Sequence, residues 1–247
     1  MDKMILAGCV GLFLVGALFG IGASSGIEIE RLKVVDIFAI VSTIATALAA
    51  YAAWRAAATA SKQSADNAVS LRWQMYKMHR ESFDDLLDNV ESNLKVNFYS
   101  RHETYDAIFP NNRNVNLPFT SVGGSELESW QRSYTKLADA CCRFESAGQR
   151  EIERWIGDYL WLAGCMRYST IKADEPQVRM GGWVPSGVSA ENHEKIASMM
   201  WSVLHSLSKF SYMENNIGYR GMSAEFKADF QSFLRDAEIG RIEHCYK

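Results

Sequence analysis

Cysteine is scarce and unpatterned in this chain. The five thiols, at positions 9, 141, 142, 165 and 245, form no CxxC pair and no even disulfide framework, and with the five histidines they make no zinc-ligand spacing. Reduced, mostly buried thiols are expected. Net charge is nearly absent as well: 26 Lys and Arg against 29 Asp and Glu leave −3, with a pI near 6.0. That balance gives no bulk attraction to phosphate, so direct nucleic-acid binding is not expected. Alternating strand patterns and repeats of solenoid period are missing too.

Signatures of catalysis are equally thin. His193-Glu194 opens like a zincin motif, but Ala197 stands where the second histidine must be. Neither Gly123-Gly124 nor Gly181-Gly182 is followed by Lys-Ser or Lys-Thr, so they read as turn glycines and not as a phosphate-cradling loop. His244 adjoins Cys245, yet sequence neighbours seldom face each other, and the pair sits at a chain end. His79, His102 and His205 stand alone and read as surface or satisfied core residues. No catalytic residue, metal site or cofactor is expected.

Two long apolar segments are present instead, Met4 to Ala23 and Ile37 to about Ala53, with no charge inside either. At about 1.5 Å per residue each reaches, or nearly reaches, across a hydrocarbon core of about 30 Å. The mean hydropathy of the whole chain is only −0.14, so the remainder must be an ordinary water-compatible polypeptide. The expected organisation is a membrane hairpin over 1–60, then a stalk helix and a helical domain over 61–247. Roughly 180 residues suffice for one sizeable core.

Only Arg31 and Lys33 are basic in the connector Ser24 to Asp36, against Glu28, Glu30 and Asp36, whereas Arg55, Lys62, Arg72, Lys77 and Arg80 follow the second span. Positive-inside counting therefore puts both termini in the cytoplasm. A rival reading makes the first span a signal peptide, cleaved after Ile21, Gly22 and Ala23. Its apolar run is longer than the usual core of roughly 7 to 15 residues, and either reading leaves residues after Arg55 inside.

Gly16 and Gly20 form a GxxxG in the first span, and Ser42, Thr46, Ala49 and Ala53 make a small-residue stripe in the second. Such faces let helices approach closely, within the hairpin or between copies of the chain, so the bilayer and a homo-oligomer are the expected partners. Tyr51 and Trp54, followed by Arg55, are placed as interfacial anchors. With no ionisable residue in either core, a proton relay or coupled transporter is not expected.

Beyond the spans, an alanine-rich helix is predicted to continue through Leu71, Met75 and Met78 into the spaced apolar set Phe83, Leu86, Leu87, Val90, Leu94 and Phe98. Its acidic row, Glu81, Asp84, Asp88 and Glu91, reads as a solvated face and not a metal site. A polar break at Asn111 to Gly124 precedes a helix capped by Ser125 and Glu128, whose stripe runs Trp130, Tyr134, Leu137, Cys141 and Phe144. A third helix from Ile152 to Met166 should pack antiparallel to it after a break near Gly148. Lys172 to Ser189 reads as a long loop; Ser189 and Ser223 are placed as caps of two final helices. The fold class is all-α.

At the level of the hairpin Met4 to Ala53, the exit run Tyr51-Ala-Ala-Trp54-Arg55 and total length, the chain resembles the two-helix membrane effectors of bacterial phage-defence systems. The transmembrane effector encoded beside a retron reverse transcriptase is the member in question. The resemblance covers about a quarter of the chain. It implies a toxin of the bacterial inner membrane, held inactive by a reverse transcriptase with its RNA-linked DNA and released by infection to permeabilise the membrane in abortive defence. The alternative is an anchored scaffold without toxicity, binding a partner through Asn111 to Gly124 and Lys172 to Ser189.

Overall fold

No glycine or proline interrupts residues 31–94, and the first helix runs their whole length. The computed structural model describes Gly11 and residues 31–142, 146–170, 177–181, 183–214 and 217–238. The internal contacts of the chain fall into two units, Met1–Ser70 and Leu71–Lys247. Helix α1, Arg31–Leu94, contributes to both. The first apolar segment, with Gly16 and Gly20, lies outside the described residues apart from Gly11, as do Phe144, His244 and Cys245.

The Leu71–Lys247 unit is mostly helical, as expected. It holds the end of α1 and then α2 (Arg101–Ile108), α3 (Ser125–Cys141), α4 (Gln149–Met166), α5 (Ile196–Phe210) and α6 (Ala224–Glu238). Helix α1 stops where Lys95 turns left-handed, with φ 55°, and α4 stops the same way at Arg167, with φ 58°. Each exit leads into a two-residue strand, β1 (Asn97–Phe98) and β2 (Tyr168–Ser169), which pair antiparallel with Phe98 opposite Tyr168. Phe98 is therefore a buried strand residue and not the last rung of the α1 stripe. Pleated pairing presents its ring to the core where another helical turn would have carried it past. A second short ladder joins β3 (Arg179–Met180) to β4 (Val184–Pro185) inside the predicted long loop.

Ion pairs account for the acidic row of α1. Arg101 Nη2 donates to Asp88 Oδ1 and Glu91 Oε2, each at 2.7 Å, while Glu91 Oε1 accepts the Phe98 N–H at 2.6 Å. Lys77 pairs with Glu81 and Arg80 with Asp84, both one turn apart. Among the described residues no group of His, Cys, Asp or Glu is placed to hold a metal ion.

Helices α3 and α4 form the antiparallel pair. The Trp155 indole donates to the Leu137 carbonyl at 3.1 Å near the joining turn, and Glu126 at the start of α3 lies close enough to Cys165, at the far end of α4, to act on it electrostatically. The caps differ in detail from the sequence reading. Gly124 occupies the N-cap of α3 without any side-chain bond, so Ser125 lies inside the first turn and the expected capping box does not form. Ser189 organises a turn that precedes α5, accepting the Glu191 N–H at 3.3 Å, and the helix begins only at Ile196. Ser223 does cap α6: its hydroxyl accepts the Phe226 N–H at 3.1 Å, and its own N–H donates to the Cys141 carbonyl at 2.9 Å. Ser223→Ala is expected to lower stability by about 1 kcal/mol in urea unfolding, with no change in helix content. An unchanged midpoint would show that the cap contributes nothing.

Glycine is required at Gly187. There φ is 75°, and a Cβ would lie 2.8 Å from the Thr170 hydroxyl, which itself donates to the Gly187 carbonyl at 2.6 Å. Two aromatic groups lie within the core. Phe83, Tyr105, Phe109 and Phe210 join α1, α2 and α5; Trp155, Tyr159, Phe226 and Phe230 join α4 and α6.

Candidate functional site

The candidate site is the charge-free part of α1 in the Met1–Ser70 unit. Helical geometry divides its side chains between two faces. Val41, Ile44, Leu48 and Tyr51 recur at three- and four-residue steps on one side, and Ser42, Thr46, Ala49 and Ala53 do so on roughly the opposite side. All are exposed, with Ile44 at 55%, Leu48 at 64% and Trp54 at 68%. Large apolar groups on a helix are normally covered by a packing partner, and among the described residues these have none.

The two threonine hydroxyls on this stretch are satisfied within the helix. Thr43 Oγ1 donates to the Ala39 carbonyl at 2.7 Å and Thr46 Oγ1 to the Ser42 carbonyl at 2.8 Å, so neither needs a water to complete its bonding. The Tyr51 and Trp54 rings lie 6.1 Å apart at 42°, forming one exposed aromatic step directly before Arg55. The structure thus brings Ser42, Thr46, Ala49 and Ala53 onto one face and Tyr51, Trp54 and Arg55 to one end of it. Among the described residues no helix is long and apolar enough to cross a membrane. Between Asp36 and Arg55 the charge-free run has 18 residues. At about 1.5 Å each that is about 27 Å, just short of a hydrocarbon core of about 30 Å.

His193 is buried, its Nδ1 2.8 Å from the Ala190 carbonyl and its ring edge-on to Phe230. Burial pushes the Cys141 thiol up to about 12, so it stays protonated at neutral pH. Burial also pushes the Tyr159 hydroxyl up to about 12, where it meets Thr170 Oγ1 at 3.4 Å.

The feature sequence reading missed is His79. It sits among Tyr105, Phe109, Phe119 and Phe210, with ring centroids 4.8 to 5.6 Å away. Phe109 precedes the polar break, Phe119 lies within it, and Phe210 ends α5; no local spacing links them to α1. The break is itself ordered: Asn112 Nδ2 donates to the Thr120 carbonyl at 2.7 Å, Asn112 Oδ1 accepts the Thr120 N–H at 3.0 Å, and Arg72 donates to the Val115 carbonyl at 3.1 Å.

No protein family, curated protein or solved structure matches this chain.

Proposed function

We propose that the chain is a membrane-anchored effector, a toxin of the bacterial inner membrane that permeabilises the bilayer when its helical domain is relieved of inhibition. The observation that carries this reading is the charge-free stretch of α1, whose large apolar face and small-residue face are both uncovered. Burying each large side chain in lipid is favourable by roughly 1.5–3 kcal/mol. The small-residue face of Ser42, Thr46, Ala49 and Ala53 would receive the Gly16 and Gly20 face of the first segment or the same face of another copy. Tyr51, Trp54 and Arg55 would meet the cytoplasmic headgroups and make up the small shortfall in length. The inhibitor implied by the family resemblance is a reverse transcriptase with its RNA-linked DNA.

The test is induced expression in a bacterium of the full chain, of a chain starting at Lys62, and of a full chain with leucine at both Gly16 and Gly20, following growth and entry of a membrane-impermeant dye. Arrest with dye entry is expected from the full chain only. Full leakage from the double leucine variant would remove the glycine face from the mechanism. A full chain that is found in the membrane fraction yet leaves cells unharmed would favour an anchored scaffold.

A further inference from the structure

His79 lies outside the proposed membrane-acting stretch, at the point where α1 enters the Leu71–Lys247 unit. Its Nδ1 is 2.9 Å from the Tyr105 hydroxyl, and that same hydroxyl receives an N–H from Asn112 at 3.3 Å. With Asn112 donating into it, the Tyr105 hydroxyl is satisfied on both sides when its own hydrogen goes to His79 Nδ1, which then accepts. The ring proton is accordingly on Nε2, and that atom is shielded from solvent with no partner among the described residues. Aromatic rings surround it: Phe109 and Phe119 stand edge-on at 86° and 79°, with Phe210 at 44°. An N–H left among rings without an acceptor is tolerable for a neutral imidazole and costly for a charged one.

We propose that His79 is an acid-operated latch: as the neutral ring it ends the Asn112 to Tyr105 relay and holds α2 and the 112–120 loop against α1, and protonation opens this joint. A proton on Nδ1 reverses the last bond of the relay. Tyr105 would then accept from both Asn112 and His79, and its own hydrogen would point into apolar surroundings with no acceptor.

Among the described residues no carboxylate bonds to His79 or offsets its burial electrostatically. On α1, Arg80 adds a positive charge one residue on, its guanidinium 5.2 Å from the Tyr105 centroid, and its partner is Asp84. Tyr76 on α1 meets Tyr105 edge-on, and Arg72 on the preceding turn is a further cation. From α2 the ionisable groups are Tyr105, pushed up to about 12 by burial, and Asp106, whose carboxylate pairs with Arg113. The loop and α5 present Asn112, Phe119 and Phe210, which do not titrate.

Burial lowers the His79 pKa from its ordinary 6.5. Above pH 6.5 the ring is neutral in both folded and unfolded chains and costs nothing. From pH 6.5 down to the lowered value the unfolded chain takes up a proton that the folded chain resists, so stability falls across that window and levels off below it. Hydrogen–deuterium exchange of the purified full chain at pH 7.5 and 5.5, corrected for intrinsic rates, tests the latch. At pH 5.5 protection over residues 76–84 and 105–120 is expected to drop, by up to about tenfold, while α4 and α6 hold theirs. His79→Gln keeps a polar partner for Tyr105 without titrating, and His79→Phe fills the cage. Either variant that folds should lose the pH dependence. Equal protection at both pH values in the unmodified chain, or a parallel loss in the variants, would overturn the proposal.

Discussion

Phe83→Ala is expected to lower the unfolding free energy of the Leu71–Lys247 unit by roughly 3–5 kcal/mol, the largest stability effect of any single truncation in α1. Phe83 is fully buried and meets three rings at once, Tyr105 at 5.4 Å, Phe109 at 6.4 Å and Phe210 at 5.5 Å. Those rings come from α2, its exit and the end of α5, so one side chain joins three segments to α1. The loss combines the transfer free energy of the ring with a cavity that aromatic neighbours, fixed by their own contacts, cannot fill. Against a typical domain stability of 5–15 kcal/mol this is a large fraction. Denaturant unfolding followed by tryptophan fluorescence is the appropriate measurement, because six of the seven tryptophans lie in this unit. Met78→Ala is the control: its side chain is 67% exposed and its truncation should stay within about 0.5 kcal/mol. A cost for Phe83→Ala below about 1 kcal/mol would mean that the end of α1 is not part of the cooperative core.

The contrast between Phe83 and Met78 also marks how far the sequence could be read. Helical periodicity is a local property, so α1, α3, α4, α5 and α6 were visible as stripes of apolar residues, and the stripe Trp130, Tyr134, Leu137 and Cys141 is buried as one face. The eight-residue α2 was not visible: Arg101–Ile108 carries only Thr104, Tyr105 and Ile108 into the core, too few repeats to establish a period. The four strands among the described residues have two residues each and no alternation to detect; β1 and β2 arise from the left-handed exits at Lys95 and Arg167 and the pairing of Phe98 with Tyr168. Caps were legible in residue type but not in position. Ser223 performs as its spacing suggests, whereas at α3 the N–H of Gly124 is taken by the Ile108 carbonyl, so the chain enters the helix through a backbone contact from α2. The His79 cage depends on α1, α2, a loop and the end of α5 meeting, a tertiary coincidence with no linear trace. The site on α1 is the reverse case. Its helical faces follow from sequence alone, and what the structure adds is that nothing among the described residues covers them.

Ile44→Lys is expected to separate water from lipid as the surroundings of that site. Ile44 lies at the middle of the charge-free run and is 55% exposed. On a solvated helix an exposed Ile to Lys change is nearly neutral, within about 0.5 kcal/mol. At the centre of a bilayer the same lysine costs about 2.5–3.5 kcal/mol, roughly a hundredfold or more in partition. The difference is large because lipid offers the ammonium no hydrogen-bonding partner, and neighbouring Val41, Leu48 and Thr46 supply no counter-charge. The measurement is made on a chain begun at Ser24, so that α1 is the one remaining apolar run, and reads the membrane fraction after an alkaline wash. That chain should remain with the membrane, Ile44→Lys should move it to the supernatant, and Met78→Lys, on an exposed turn beyond the run, should not. In the full chain the same Ile44→Lys should abolish dye entry, since a hairpin whose second helix cannot settle in lipid has no face to offer Gly16 and Gly20. If the Ser24 chain washes off unaided, or the lysine leaves it in place, α1 does not lie in the bilayer and its exposed faces must be covered by protein.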